Sequence, residues 1–298
     1  MIDLKLSSFH RLIKKQLWGY FFIFPATILF LVFVLWPVIQ EIITGFYRYD
    51  ITGKKFIGVE NYVRFLYDPI AIKTVWNTIK YVFVIVPVVL FGAILISLII
   101  YRQNEIIKGY VRAVFYIPAV IPSICLTVVW KWLYNINFGL FNSIILSIGG
   151  EPVNFLGNPK TAIFSVMVIV ITWLLGLPVI LFTASLGGIP ETLLEAADLE
   201  GAGKWKKFWS IIWPLLKPTT LYVMVTLTIS VMQVVEAILL TTNGGPYYET
   251  NSMLLMIYNE AFKKNNIGYA SAIGNIMFVI VFIISFIQFK IMEGYTEY

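Results

Sequence analysis

Two places in the chain carry side chains able to do more than fill lipid. The stretch "EAADLEGAGKWKKFWSIIWPLLKP", Glu195 to Pro218, gathers carboxylates and lysines, and Glu236 sits in the apolar sequence "MQVVEAILLTTNGGP" with Gln233 just before it. An ionisable group at membrane depth is costly to keep, which makes Glu236 and its neighbour Gln233 candidates for contact with a polar cargo. Ser271 and Asn275, in a later apolar run, offer a hydroxyl and an amide for the same purpose. Each has a plainer alternative. Glu236 lies only about two helical turns from the end of its run and can snorkel to water or pair with a partner chain. Ala270, Ala272 and Gly274 around Ser271 suit close helix contact.

None of these groups is arranged for catalysis or for a metal. A single cysteine, Cys125, and a single histidine, His10, exclude an intrachain disulfide and a structural zinc site. There is no G-x-x-x-x-G-K-[ST] phosphate loop, so ATP hydrolysis, if it drives this protein, belongs to a partner. The net charge of +6 comes from residues that flank apolar runs and form no basic stripe, so nucleic acid is not an expected partner.

The elements that hold these residues must be membrane helices. Hydrophobic residues make up 59% of the 298 and charged ones only 13%, against roughly 25% charged in a soluble domain. Six uncharged runs approach or exceed the roughly 20 residues that an α-helix needs to cross a bilayer. They are 18–40, 81–101, 113–130, 161–183, 218–235 and 269–289. The expectation is an all-α, polytopic membrane protein of six transmembrane helices, a single domain over 1–298. The basic leader 1–17 could introduce a signal peptide, but its apolar run is too long and no small-residue cleavage site follows, so an uncleaved span is expected. The uncharged stretch 133–150 is the ambiguous one, since a seventh span there would reverse the sidedness of everything after it.

Lys and Arg in the loops set orientation. With six spans, twelve fall on the side of the N-terminus and eight on the other, and the densest cluster precedes the first span. Both termini and the segment 183–218 are therefore expected in the cytoplasm. Within that segment, Pro190 suits the first turn of a short helix to about Glu200, with Glu191, Glu195 and Asp198 on one face. Gly201 can take φ > 0 where that helix ends. A second helix, basic through Lys204, Lys206 and Lys207, should run to Trp213, be disturbed by Pro214, and give way to a new span at Pro218. Trp205, Trp209 and Trp213 recur at the spacing of an interfacial face.

This helix-turn-helix resembles the cytoplasmic EAA loop of binding-protein-dependent ABC transporter permeases, through Glu195, Ala196, Ala197, Glu200, Gly201 and Ala202, and then Ile211 and Pro214. Glu200 replaces the usual aspartate and Trp213 the usual leucine, keeping charge and bulk. The resemblance covers nearly the whole chain and is closest to the carbohydrate branch, the maltose-type and glycerol-phosphate-type permeases. It is carried by "GVENY" (58–62), "RAVFYIP" (112–118), "VVWKWLYN" (128–135), "TNGGP" (242–246) and "GYASAIG" (268–274). It places 133–150 in an outside loop. It implies a multi-pass subunit of a prokaryotic cytoplasmic (inner) membrane that imports a sugar or oligosaccharide, or a glycerol-phosphate ester. The implied partners are a second, related permease, two ATP-binding cassette ATPases that hold ATP and Mg, and an extracytoplasmic solute-binding protein. The loops at 58–62 and 242–246 would face that protein. Two other classes compete: an autonomous secondary transporter or channel, which should show inverted repeats and further buried charges, and a membrane-embedded enzyme, which should show paired carboxylates.

Overall fold

The computed structural model describes residues 19–50 and 53–293. The basic leader 1–17, with His10, lies outside the described residues. Helix α1 (Gly19–Thr44) leads into a hairpin of β1 (Tyr47–Asp50) and β2 (Gly53–Phe56), paired antiparallel. Helix α2 (Glu60–Tyr67) then turns through Asp68 into α3 (Pro69–Ile100). The middle of the chain forms α4 (Glu105–Val120), α5 (Ser123–Leu133), α6 (Leu140–Ser147), α7 (Ala162–Leu174) and α8 (Gly176–Gly187). The short α9 (Glu191–Leu199) precedes α10, residues 204–232, and α11 (Glu236–Thr241). Last come α12 (Met253–Tyr258) and α13 (Ile267–Glu293).

Among the described residues, four helical stretches are long and apolar enough to cross a membrane: α1, α3, the stretch Lys204–Thr241, and α13. Two further pairs qualify only when each is taken as one bent span: α4 with α5, bent by 97°, and α7 with α8, bent by 45°. The third run was expected to be a plain helix over 113–130. Instead it breaks at Ile121–Pro122, both extended in ψ (133° and 132°), because proline lacks an N–H and pushes the residue before it out of the α region. At the other bend Gly176 lies against α4 so closely that a Cβ there would sit 2.5 Å from the Phe115 carbonyl oxygen.

Two expectations about boundaries are corrected. The second run starts at Pro69, twelve residues before Tyr81, because Asp68 caps it: its carboxylate accepts from the Ile70 and Ala71 amides. At 32 residues and 1.5 Å each, α3 is about 48 Å long and must project beyond a hydrocarbon core of about 30 Å. Neither Pro214 nor Pro218 interrupts the helix that begins at Lys204. A π-helical segment, Phe208–Ile212, lies just ahead of Pro214, as Leu31–Leu35 lies just ahead of Pro37 in α1. Widening the helix by one residue per turn removes the clash between a proline ring and the carbonyl four residues back. The basic half of the predicted helix-turn-helix is thus the root of the next long helix. The stretch 133–150 is no span; it holds only the eight-residue α6, pinned through buried Asn142 to the Val153 amide and carbonyl.

The core is built around α3. Tyr81, Ile85 and Val89 are fully buried, in one core cluster with Ile169 and Val170 of α7, Phe182 and Leu186 of α8, and Leu216 and Val231 of α10. Ser97 on α3 donates to the Val179 carbonyl and accepts from Thr183, closing α3 onto α8 with small residues. Helix α1 buries none of its apolar window. Replacing Gly176 by Val should force α4 and α8 apart and cost about 1–3 kcal/mol, the usual range for overpacking. Thermal unfolding of the detergent-solubilised protein reads the loss; an unchanged midpoint would mean that the bend relaxes freely.

Candidate functional site

The polar loop is a closed piece of structure. Helix α9 turns Leu194 and Ala197 inward and leaves Glu191, Glu195, Ala196 and Glu200 exposed, while Leu193 is half exposed. Pro190 stands at the helix N-cap. The far end is a complete Schellman cap: the Ala202 amide donates to the Ala197 carbonyl at 2.9 Å and the Gly201 amide to the Asp198 carbonyl at 3.0 Å. Gly201 carries φ +73°, the left-handed conformation that this cap requires. The alanines thus have separate positions: Ala197 supplies the capped carbonyl and packs inward, Ala202 supplies the capping amide, and Ala196 faces out beside Glu195.

One interaction here escaped the sequence reading. Lys207, which its spacing placed on a solvated basic face, is buried, and its ammonium donates to Asp198 at 2.5 Å. This contact latches α9 to the root of α10. The hydrogen bond from Lys207, reinforced by the charges of Lys207 and Arg102 and opposed by desolvation, holds the Asp198 carboxyl below its ordinary value. Four aromatic rings extend along the same helix: Trp205, Trp209 and Trp213 stand edge to face in succession, centroids 5.7 and 5.9 Å apart, and Phe208 packs on Trp209.

The second region lies at the other end of α10. The helix stops at Met232, and Gln233, Val234 and Val235 are not helical before α11 begins at Glu236. The Val234 carbonyl freed by this break accepts from the Ser252 hydroxyl at 2.9 Å. Glu236 accepts a hydrogen bond from Ser123, the first residue after the Pro122 break. Lys131 donates to the Leu240 carbonyl at 3.0 Å, so α5 and α11 are tied at two points. Gln233 and Glu236 are both exposed. The two broken helices therefore meet at a carboxylate. The sequence marked Glu236 but gave no sign of Ser123; the Pro122 signal was there to be read.

Ser271 and Asn275 occupy different surroundings. Asn275 donates to the Tyr62 hydroxyl at 2.9 Å and to the Ile42 carbonyl at 3.4 Å, clamping α13 to α1 and α2. Ser271 is half-buried one turn away. Glycines surround this clamp: a Cβ on Gly45 would meet the Tyr62 hydroxyl and Asn275, and one on Gly274 would meet the Glu41 carboxylate.

A third feature lay unread in α3. Lys73, Asn77 and Tyr81 donate to the carbonyls of Tyr247, Tyr248 and Thr250, at 2.8, 2.7 and 3.0 Å. Thr74 accepts from Asn251, and Thr78 accepts the Met253 amide. This polar stripe at helical spacing binds the loop 242–252, in which Asn243, Gly244, Tyr247 and Tyr248 all have positive φ. Tyr247 and Tyr248 are left 80% and 50% exposed, so the loop presents a fixed aromatic pair.

Replacing Gly201 by Val should cost about 1–2 kcal/mol through the left-handed backbone alone, seen as a lower unfolding midpoint. Asp198→Asn should destabilise more than Lys207→Met, because it leaves a buried ammonium without its carboxylate. The pH dependence follows from the lowered Asp198 value. The latch contributes fully above the unfolded carboxyl value of about 3.9 and is lost as pH falls through the lower folded value. The difference between wild type and Asp198→Asn should therefore be constant at neutral pH and shrink below about pH 4. A difference that stays constant down to pH 2 would disprove the latch.

Comparison with known proteins agrees with this architecture. Residues 71–293 match the family model described as "Binding-protein-dependent transport system inner membrane component". The arabinooligosaccharides transport system permease protein AraP of Bacillus subtilis is 32% identical over 95% of this chain and 90% of its own length. The trehalose/maltose transport system permease protein MalF of Thermococcus litoralis is 33% identical over 92% of each. A chain from the crystal structure of a bacterial ABC transporter involved in alginate import has the same fold, with a TM-score of 0.82 at 24% identity over 96% of this chain and 99% of that one. With a bent, multi-span bundle and a family match over most of its length, this chain belongs to the inner membrane components of binding-protein-dependent transport systems.

Proposed function

We propose that this protein is one of two permease subunits in an ABC importer for a sugar or oligosaccharide, and that its α9–α10 turn is the handle by which an ATPase moves it. The observation that carries this reading is continuity. Helix α10 runs unbroken from the capped turn to the break at Gln233, about 40 Å at 1.5 Å per residue. A displacement of the turn is thereby delivered, as rigid-body motion, to the place where two broken helices meet at Glu236. Glu195, Ala196, Glu200 and Gly201 form the exposed contact surface, and Ala197 and Ala202 hold its shape. ATP and Mg²⁺ bind on the two ATPase partners. Counting each bent pair as one span gives six in one transmembrane domain, which leaves this turn and both termini on one side, and the excess of Lys and Arg in those segments supports the cytoplasm as that side.

The cargo assignment rests on relatives whose names specify arabinooligosaccharides and trehalose or maltose. A second related permease completes the pathway, and a solute-binding protein delivers the sugar to the outer face, where the fixed Tyr247–Tyr248 loop would meet it. Gln233 and Glu236 are the side chains offered to passing hydroxyls. The hydrogen bonds of Asn275 favour a clamping role for that residue, with Ser271 beside it.

In proteoliposomes containing both permeases, the ATPase pair and the binding protein, sugar uptake should require ATP. Glu195→Lys should reduce it roughly tenfold or more, the loss of a charge-assisted contact worth about 1.5–3 kcal/mol, with the chain still inserted. Full ATP-driven uptake by the variant, or uptake by the purified chain alone, would overturn the reading.

A further inference from the structure

Behind the α9–α10 turn lies a cavity of about 450 Å³ between the end of α3, α9 and the root of α10. Its charged lining is all of one sign: Arg102, Lys204 and Lys207, with no acidic residue among the lining side chains. Lys207 is neutralised by Asp198. Among the described residues, Arg102 and Lys204 make no ion pair, although Arg102 also feels the Asp198 charge. The rest of the lining is largely apolar, chiefly Leu98, Phe208 and Ile212.

The order of these residues along their helices separates the two characters in depth. Leu98 lies four residues from Arg102 toward the interior of α3, and Ile212 lies eight residues from Lys204 along α10. At 1.5 Å per residue Leu98 lies about 6 Å deeper than Arg102 and Ile212 about 12 Å deeper than Lys204, with the neutralised Lys207 between them beside Phe208. Trp205 on the rim is 75% exposed, and Trp209 and Trp213 continue the aromatic face expected of a membrane–water boundary.

We infer that this cavity binds an anionic phospholipid: its phosphodiester between Arg102 and Lys204, and the start of an acyl chain against Leu98, Phe208 and Ile212. A free phosphate would use the cations but gain nothing from the apolar depth. A zwitterionic lipid would bring its own cation to a site that already has an excess of positive charge. The guanidinium of Arg102 can hold the two non-bridging phosphate oxygens, and the Lys204 ammonium can share one of them. Bound there, the lipid would brace the end of α3 against the root of α10 beside the Asp198–Lys207 latch. The inference needs only that the turn sits at a membrane boundary; it does not depend on the cargo or on which side the turn faces.

The assembled transporter, exchanged into zwitterionic detergent and offered equimolar phosphatidylglycerol and phosphatidylcholine, can be weighed by native mass spectrometry. Wild type should retain phosphatidylglycerol with roughly tenfold or greater preference, and the double variant Arg102→Gln/Lys204→Gln should fall to parity. Lys206→Gln, an exposed lysine of the same helix outside the cavity, should keep the preference. In vesicles, brominated phosphatidylglycerol should quench tryptophan fluorescence more than brominated phosphatidylcholine, with the excess lost in Trp205→Phe. Equal retention of both lipids by wild type, or a preference surviving in the double variant, would overturn the site. So would lipid retained by the lone chain but expelled on assembly with the ATPase subunits, which would assign the cavity to protein. ATP-driven uptake, measured on the same preparations, fails or succeeds independently of these readouts.

Discussion

A backbone carbonyl or amide without a hydrogen-bond partner in hydrocarbon costs several kcal/mol, and the features that distinguish this bundle from a set of plain helices are its solutions to that cost. At three places where regular structure stops, a specific side chain or amide takes up the backbone groups left free. Ser252 accepts that task for Val234, the stripe Lys73, Asn77 and Tyr81 for the loop 247–250, and the Gly201 and Ala202 amides for the end of α9. Ser252 and the α3 stripe come from other elements and so fix the direction of the chain they hold, while the end of α9 is fixed by its own local cap. The breaks are joints with defined geometry, and this makes a broken helix usable for moving or lining a path.

The same constraint explains why the turn and the Glu236 region are joined without a joint between them. Two prolines enter α10 near its root, where they would ordinarily end a helix, and the π-helical segment before Pro214 absorbs the first of them. The result is a stiff element between two shaped ends. At the lower end the Asp198–Lys207 pair and the Schellman cap bind α9 to that element; at the upper end Ser123 and Lys131 bind α5 to α11. A carboxylate at the upper end is tolerable because it stands at a helix break, exposed and hydrogen-bonded.

What the sequence made legible were the features written in local chemistry. Gly201 read correctly as a left-handed turn residue, since only the backbone conformation of one residue was at issue. The run lengths indicated the bundle, whereas the 133–150 stretch was ambiguous in its own residues and was placed in a loop only by the family resemblance; the structure has a short helix there. What stayed hidden depended on partners distant in sequence. Lys207 read as a surface lysine because the carboxylate that lets it be buried, Asp198, lies across the turn. Pro122 was passed over inside an apolar run, and Pro214 was given a breaking role that a π-helical turn removes. The start of α3 was misplaced by twelve residues because Lys73, Asn77 and Lys80 look like loop residues until the loop they hold is known.

Helix α1 shows how far such polar and close-contact devices can substitute for burial. None of its apolar window is buried, and in lipid apolar contact alone supplies no force to attach it. Its C-terminal end is held instead by Asn275 reaching the Ile42 carbonyl and Tyr62, with Gly45 and Gly274 allowing the backbones to approach. The contact between Gly268 and the Tyr47 carbonyl extends the same close fit to the hairpin. The sequence "GYASAIG", one of the motifs that carries the family resemblance, is therefore the surface that seats the first helix on the last. Its glycines are accounted for by that fit.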